Sequence, residues 1–176
     1  MKPNTTTDTT IIRIGISACL LGERVRYDGN HRLDAALLAA FPAIFAPIPI
    51  CPEVAIGMGV PREPIHLVGD PRSPRAIGTL SPHLDVTDAL IEFGRRMAEE
   101  LRDISGYIFK ARSPSCGVER VPIHPATPSG SGIYVQTLTA LLPRLPIADD
   151  EQLRDGDFRN RFFQRVVSFH NQQKDR

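Results

Sequence analysis

The chain has 176 residues, 41% of them hydrophobic and 23% charged, with a formal net charge of +1. These values fit one globular domain with its own core and exclude a disordered or fibrous chain. The near-neutral balance offers no global attraction to nucleic acid or to an acidic membrane, and no apolar run approaches the roughly 18 residues that span a bilayer.

Residues 1–10 (MKPNTTTDTT) are polar and lack the apolar centre of a signal peptide, so a disordered tail and a cytoplasmic location are expected. Residues 11–17 (IIRIGIS) are short, β-branched and apolar, the pattern of a buried strand, and run into the turn Ala18-Cys19-Leu20-Leu21-Gly22. Residues 33–41 form helix readily and stop at Pro42. Residues 44–50 (IFAPIPI) are extended, with prolines at 47 and 49 that suit an edge strand, and end at Cys51-Pro52-Glu53. Residues 57–82, rich in Gly, Pro and Arg, read as an ordered loop region. From 85 to 104, Val86, Leu90, Phe93, Met97, Leu101 and Ile104 recur at helical spacing as one apolar stripe. Residues 106–110 (GYIFK) are a third strand, followed by Ser113-Pro114-Ser115-Cys116-Gly117. A helix over 133–142 closes at Pro143, and Phe158, Phe162, Val166 and Phe169 mark a final amphipathic helix.

Strands separated by helical patterns predict an α/β fold with a parallel sheet. Every cysteine then follows the end of a predicted strand, in a turn with Gly or Pro. The crevice outside the carboxyl ends of parallel strands is where such folds bind ligands. Three unrelated buried cysteines would have no reason to share that address, so the positions favour a three-thiolate metal site. Three chemistries stay open: zinc with His31, His66, His83 or His124 as fourth ligand; an iron–sulfur cluster with one iron lacking a protein ligand; and a cysteine nucleophile with a histidine in reach. A dinucleotide site is excluded, because Gly57-Met58-Gly59 lacks the third glycine and opens no helix.

The runs Ser17-Ala18-Cys19-Leu20-Leu21-Gly22, Arg26-Tyr27-Asp28-Gly29, Cys51-Pro52-Glu53 and Lys110 with Ser113-Pro114-Ser115-Cys116-Gly117 resemble, in order, the signature of the thiouracil desulfidase family. The resemblance implies a Rossmann-like single domain, a parallel sheet flanked by helices, over residues 11–150. Residues 151–176 would be a helical extension that packs on it or links to an absent second domain. It further implies a [4Fe-4S] cluster on Cys19, Cys51 and Cys116, with one iron left to bind the substrate's sulfur. The reaction implied is non-redox: the C=S of a thiolated uracil becomes C=O and hydrosulfide leaves. By match, Glu53 is the acid/base, with Ser113, or less so Ser115, as its polar partner. Asp28, Lys110 and Ser115 are candidate substrate contacts.

Each residue also has a plainer reading: Glu53 as a helix cap, the serines and Asp28-Gly29 as turn formers, Lys110 as a solvated charge. Pro61-Arg62-Glu63-Pro64-Ile65, Gly132-Ile133-Tyr134 and residues 158–166 are similar to the desulfidase half of two-domain members linked to 4-thiouridine in tRNA. The expected substrate is therefore a thiolated uracil as base or nucleoside, free or in tRNA, with no membrane partner. The competing expectations are a tRNA thiolation enzyme, in which sulfur moves the other way, and a three-cysteine structural metal domain that binds RNA or a partner.

Overall fold

The structure is a computed structural model that describes residues 11–125 and 129–174. The tail expected at residues 1–10 lies outside the described residues. In chain order the first half runs β1 (Ile12–Ser17), α1 (Ala35–Ala39), β2 (Phe45–Ile50), α2 (Pro52–Ala55), β3 (Ile65–Asp70), β4 (Ser73–Gly78) and α3 (Thr87–Glu100). The second half runs β5 (Tyr107–Phe109), β6 (Val121–His124), β7 (Ser129–Gly130), α4 (Ile133–Leu141), β8 (Ile147–Asp149) and α5 (Gly156–Lys174).

The central sheet has the order β2-β1-β5-β8 and all its pairings are parallel. Strand β1 holds the middle because Ile12, Ile14 and Ile16 are all buried, as a parallel strand covered on both faces requires. Strand β2 is an edge, as its prolines predict. Pro47 and Pro49 alternate, so both missing N–H groups fall on one side of the strand, while Ala46, Ile48 and Ile50 keep donors for the other.

Alternation along the strands sends side chains to two opposite cores. On one face Ile14, Ile16, Phe45 and Ile108 pack with Leu37 of α1 and with Phe162, Phe163 and Val166 of α5. On the other, Ile50, Tyr107 and Phe109 pack with Phe93, Met97 and Leu101 and with Tyr134 and Leu138 of α4. Helices thus cover both faces of a parallel sheet, the Rossmann-like arrangement. Gly15 belongs to this second face: a Cβ there would sit 2.5 Å from the ring of Tyr107, which itself stacks on Phe109 at 3.9 Å.

Residues 57–82 are not the continuous loop their composition suggests. They contain the antiparallel hairpin β3–β4, part of a second sheet of order β4-β3-β6-β7. Ile65 and Leu67 on β3 and Ala76 on β4 point into a third cluster with Leu90, Val121 and Ile123. Helix α3 starts two residues later than its stripe suggests, because Asp85 is held outside it. The Asp85 carboxylate pairs with Arg75 and accepts the Thr87 N–H at 2.9 Å. Leu101 and Ile104 extend the stripe past the last helical turn and stay buried.

The amino end of α4 is capped by backbone rather than by a side chain. Gly132 N–H donates to the Gly117 carbonyl at 2.8 Å, Ile133 N–H to Pro114 at 3.1 Å and Val135 N–H to Ser115 at 3.3 Å. Donors that a helix end leaves orphaned are thereby used to pin the 113–117 turn. The approach is close enough that a Cβ on Gly132 would lie 2.4 Å from the Ser115 carbonyl carbon and oxygen. Backbone cannot rotate away as a side chain can. Gly132→Ala is therefore expected to destabilise the fold by about 1–3 kcal/mol, read as a lower urea midpoint at unchanged m-value. An unchanged midpoint would show that the turn is not held in this way.

Candidate active site

Three adjacent strand ends build the site. β1 runs into a single 3-10 turn, Ala18–Leu21, that carries Cys19; Gly22 closes it at φ 93°, a conformation glycine adopts without strain. β2 ends at Cys51, the N-cap residue of α2, with Pro52 at the first helical position. β5 ends in Lys110-Ala111-Arg112 and then the 113–117 turn. There Ser113 Oγ accepts the N–H of Ser115 at 3.3 Å and of Cys116 at 3.1 Å, and the Ser113 carbonyl accepts Gly117 N–H at 2.8 Å. β1 lies between the other two strands, and neighbouring strands are about 4.8 Å apart. The three turns therefore face one cavity of about 300 Å³, which Cys19, Cys51, Cys116, Glu53, Arg62 and Ser115 all line.

Burial governs the thiols. It pushes Cys19 up to about 11, with the neighbouring Cys51 adding to the rise and Arg26 and Lys110 opposing it. Burial likewise raises Cys51, and it raises Cys116 further, helped by Cys51, Glu53 and Cys19. Burial and the neighbouring negative charges thus hold these thiols protonated, so a cation between them is what would let all three ionise, releasing protons as it binds. Soft sulfur donors suit iron–sulfur clusters or zinc. A single ion needs its ligand atoms about 2.3 Å from one point. No group of three or more His, Cys, Asp or Glu side chains among the described residues closes on such a point. All three thiols line the one cavity. None of His31, His66, His83 and His124 lines the cavity. His66 and His124 meet edge-on at 5.4 Å on the second sheet.

Glu53 sits in the first turn of α2, beside Cys51, with both carboxylate oxygens engaged. Ser115 Oγ donates to Oε1 at 2.6 Å. Arg62 Nε donates to Oε2 at 2.8 Å, and Nη2 lies beside the same oxygen as an ion pair, also at 2.8 Å. The order of the two serines is the reverse of the expectation. Ser115 touches Glu53, and Ser113 stands one step behind, 3.1 Å from the Ser115 hydroxyl, shaping the turn through its backbone bonds.

Asp28 is not brought to the site. Its carboxylate accepts Asn30 N–H at 3.0 Å and does not line the cavity; that bond, outweighing some desolvation, holds it below the usual carboxylate range. It is the turn former of the plainer reading. Lys110 does line the cavity, but its ammonium is committed to both oxygens of the buried Asp150, at 2.8 and 3.0 Å. Asp150 also accepts Ala111 N–H at 2.6 Å. Lys110 thus ties the end of β5 to the end of β8.

Arg62, Asp150 and Ser17, whose hydroxyl accepts Lys110 N–H at 2.9 Å, are absent from the expected set. Asp150 carried a usable signal: it follows a short apolar run, the same strand-end address as the cysteines. Arg62 carried a weaker one: it lies in the Pro61–Ile65 run that is similar to two-domain members, but only the fold brings it to Glu53.

The 2-thiouracil desulfurase family model matches residues 14–150. YbbK of Bacillus subtilis strain 168, itself called uncharacterized, is 32% identical over 136 residues, covering 72% of this chain and 86% of that protein. A solved structure described as the [4Fe-4S]-dependent thiouracil desulfidase TudS superposes with a TM-score of 0.60 at 29% identity, over 82% of this chain and 94% of the other. The matched span contains all three cysteine-bearing turns, Glu53 with both its partners, and the aspartate at the end of β8 that anchors Lys110; on that span the chain belongs to the 2-thiouracil desulfurase family.

Proposed function

We propose that the chain is an iron–sulfur-dependent desulfidase that hydrolyses the C=S bond of a thiolated uracil to C=O, consuming one water and releasing the sulfur as hydrosulfide. The observation that carries this reading is one cavity bordered by three thiols and by a carboxylate whose two oxygens are both oriented. Cys19, Cys51 and Cys116 would hold a [4Fe-4S] cluster, which when bound supplies an iron free of protein ligands as a Lewis acid toward soft thiocarbonyl sulfur.

The chain's own groups do the rest. Glu53 takes the proton of the attacking water and later returns it to the departing sulfur, as a general base and then acid. Ser115 holds the carboxylate against the cavity wall, and Ser113 holds Ser115. Cys116 and Ser115 keep their places because the backbone of their turn is anchored on α4. A purely structural metal site would not require a carboxylate held at two oxygens beside the ligands, which weighs against the metal-domain alternative. A cavity of about 300 Å³ lies at the small end of ligand pockets. Shared with a cluster, it suits a single pyrimidine ring, so a ribose or a tRNA body would stay at the mouth. Among the described residues no helix is long and apolar enough to cross a membrane. The reducing cytoplasm suits free thiols and such a cluster.

Two measurements test this. After anaerobic reconstitution, Cys19→Ala, Cys51→Ala and Cys116→Ala should each lose most of their iron and acid-labile sulfide; full iron in any one of them removes that residue from the ligand set. Glu53→Gln keeps size and polarity but loses the basic oxygen, and should turn over 2-thiouracil or 4-thiouridine about 10²- to 10⁴-fold more slowly at unchanged iron content.

Ser115→Ala should cost about 10- to 100-fold, the worth of one hydrogen bond to a charged group, and Ser113→Ala less. The opposite ranking of the serines would restore Ser113 as the partner that acts on Glu53. Parent rates for Glu53→Gln would reduce Glu53 to a helix-end residue.

A further inference from the structure

We propose that Arg62 is a positioning residue that selects which oxygen of Glu53 handles the proton. The inference rests on the reading of Glu53 as the acid/base. A carboxylate offers about four lone-pair sites, two on each oxygen. Arg62 covers Oε2: Nε donates to it at 2.8 Å, and Nη2 stands 2.8 Å from it as an ion pair. Ser115 occupies one on Oε1 at 2.6 Å. With the guanidinium laid along Oε2, the acceptor site left open beside the thiols is on Oε1, the oxygen bonded to the turn that carries Cys116. A water waiting near the ligand thiols therefore has one direction in which to hand over its proton. Without the fork the carboxylate would be free to turn about its terminal torsion, which is broad for glutamate, and either oxygen could face the cavity.

The arginine is itself fixed for this task. Its Nη1 donates to the Gly59 carbonyl at 2.9 Å, and its backbone N–H donates to the Tyr27 carbonyl at 2.9 Å. Its side chain is 5% exposed and that of Glu53 13%, so little water competes for the pair. The two carbonyls lie on different segments, the loop after α2 and the loop after β1. Arg62 thus holds α2 by its acidic residue and the neighbouring loops by their backbone. Lysine could not reproduce the grip, since an ammonium has no rigid planar group to lie along Oε2 while donating to the Gly59 carbonyl. Of the other cations that line the cavity, Lys110 is bound to Asp150, Arg112 to Glu151 and Arg26 to Asp28, and Arg32 donates to the His31 carbonyl; none of these bonds is to Glu53.

The test uses the anaerobically reconstituted full chain with 2-thiouracil as probe. Arg62→Ala and Arg62→Lys should keep parent iron content and a KM within about threefold, while kcat falls about 10- to 100-fold, the scale of a misaligned reacting group. Millimolar guanidinium should restore part of the kcat of Arg62→Ala and none of that of Arg62→Lys, whose side chain still fills the space. In the Glu53→Gln background, Arg62→Ala should add little further loss, because the two act as one unit.

A raised KM at parent kcat would overturn the proposal in favour of a direct substrate contact, and so would losses that multiply in the double variant. If Arg62→Ala loses iron, Arg62→Lys carries the test, and parent kcat in that variant also overturns it. If Glu53→Gln alone turns over at the parent rate, the underlying acid/base reading has failed, a result distinct from failure of Arg62 alone.

Discussion

The site depends on the parallel pairing of β2, β1 and β5. Parallel strands release their chains on the same side, and hydrogen-bonded neighbours are about 4.8 Å apart. Whatever the first residues after those strands carry is thereby gathered into one crevice, however far apart it lies in the chain. The cysteines use that rule at the shortest possible range: Cys19 is in the turn directly after β1 and Cys51 is the residue directly after β2. Cys116 stands further from β5, and a longer connection has to be fixed by other means.

Those means are polar and mostly backbone. The Ser113 hydroxyl folds the turn onto itself, α4 takes three of its carbonyls, and Asp150 holds the Lys110-Ala111 step that leads into it. The same cavity gathers groups that would repel one another once ionised: three thiols and the Glu53 carboxylate. The fold answers with cations on the wall that are paired with carboxylates: Arg62 with Glu53, Lys110 with Asp150, Arg26 with Asp28, and Arg112 with Glu151, which Arg120 shares. Groups so committed keep their places, which a reaction centre needs more than it needs added stability.

What could be read from the sequence follows from which patterns are local. β1, β2, β5, α3, α4 and the last helix announce themselves by β-branched runs or by a stripe at helical spacing, and the cysteines by their place after strands. The β3–β4 hairpin is hidden because Pro74 and Gly69 lie inside it and the positions between its buried residues include Arg75 and the half-buried His66; its alternation is legible only once Ile65, Leu67 and Ala76 are seen to share a face. β8 is three residues long, too short for any period. The choice between Ser113 and Ser115 rests on the path of a turn that Arg112 enters at φ 60°, a backbone angle that no residue type at that position announces. The Arg62–Glu53 fork joins two segments through tertiary structure alone.

The anchoring of the Cys116 turn on α4 bears on how a cofactor would be acquired. In small metal-folded domains the ligand loops are unstructured until the metal arrives, and the free energy of binding is spent on ordering them. Here the turn's order is already supplied by carbonyls that satisfy a helix end and by glycines too tightly packed to shift. A polypeptide arranged in this way would meet an incoming cluster with the Cys116 turn preorganised, so little conformational entropy would be lost on loading. Loss of the cluster to oxygen would then leave a folded receptor that can be refilled rather than a chain that must refold.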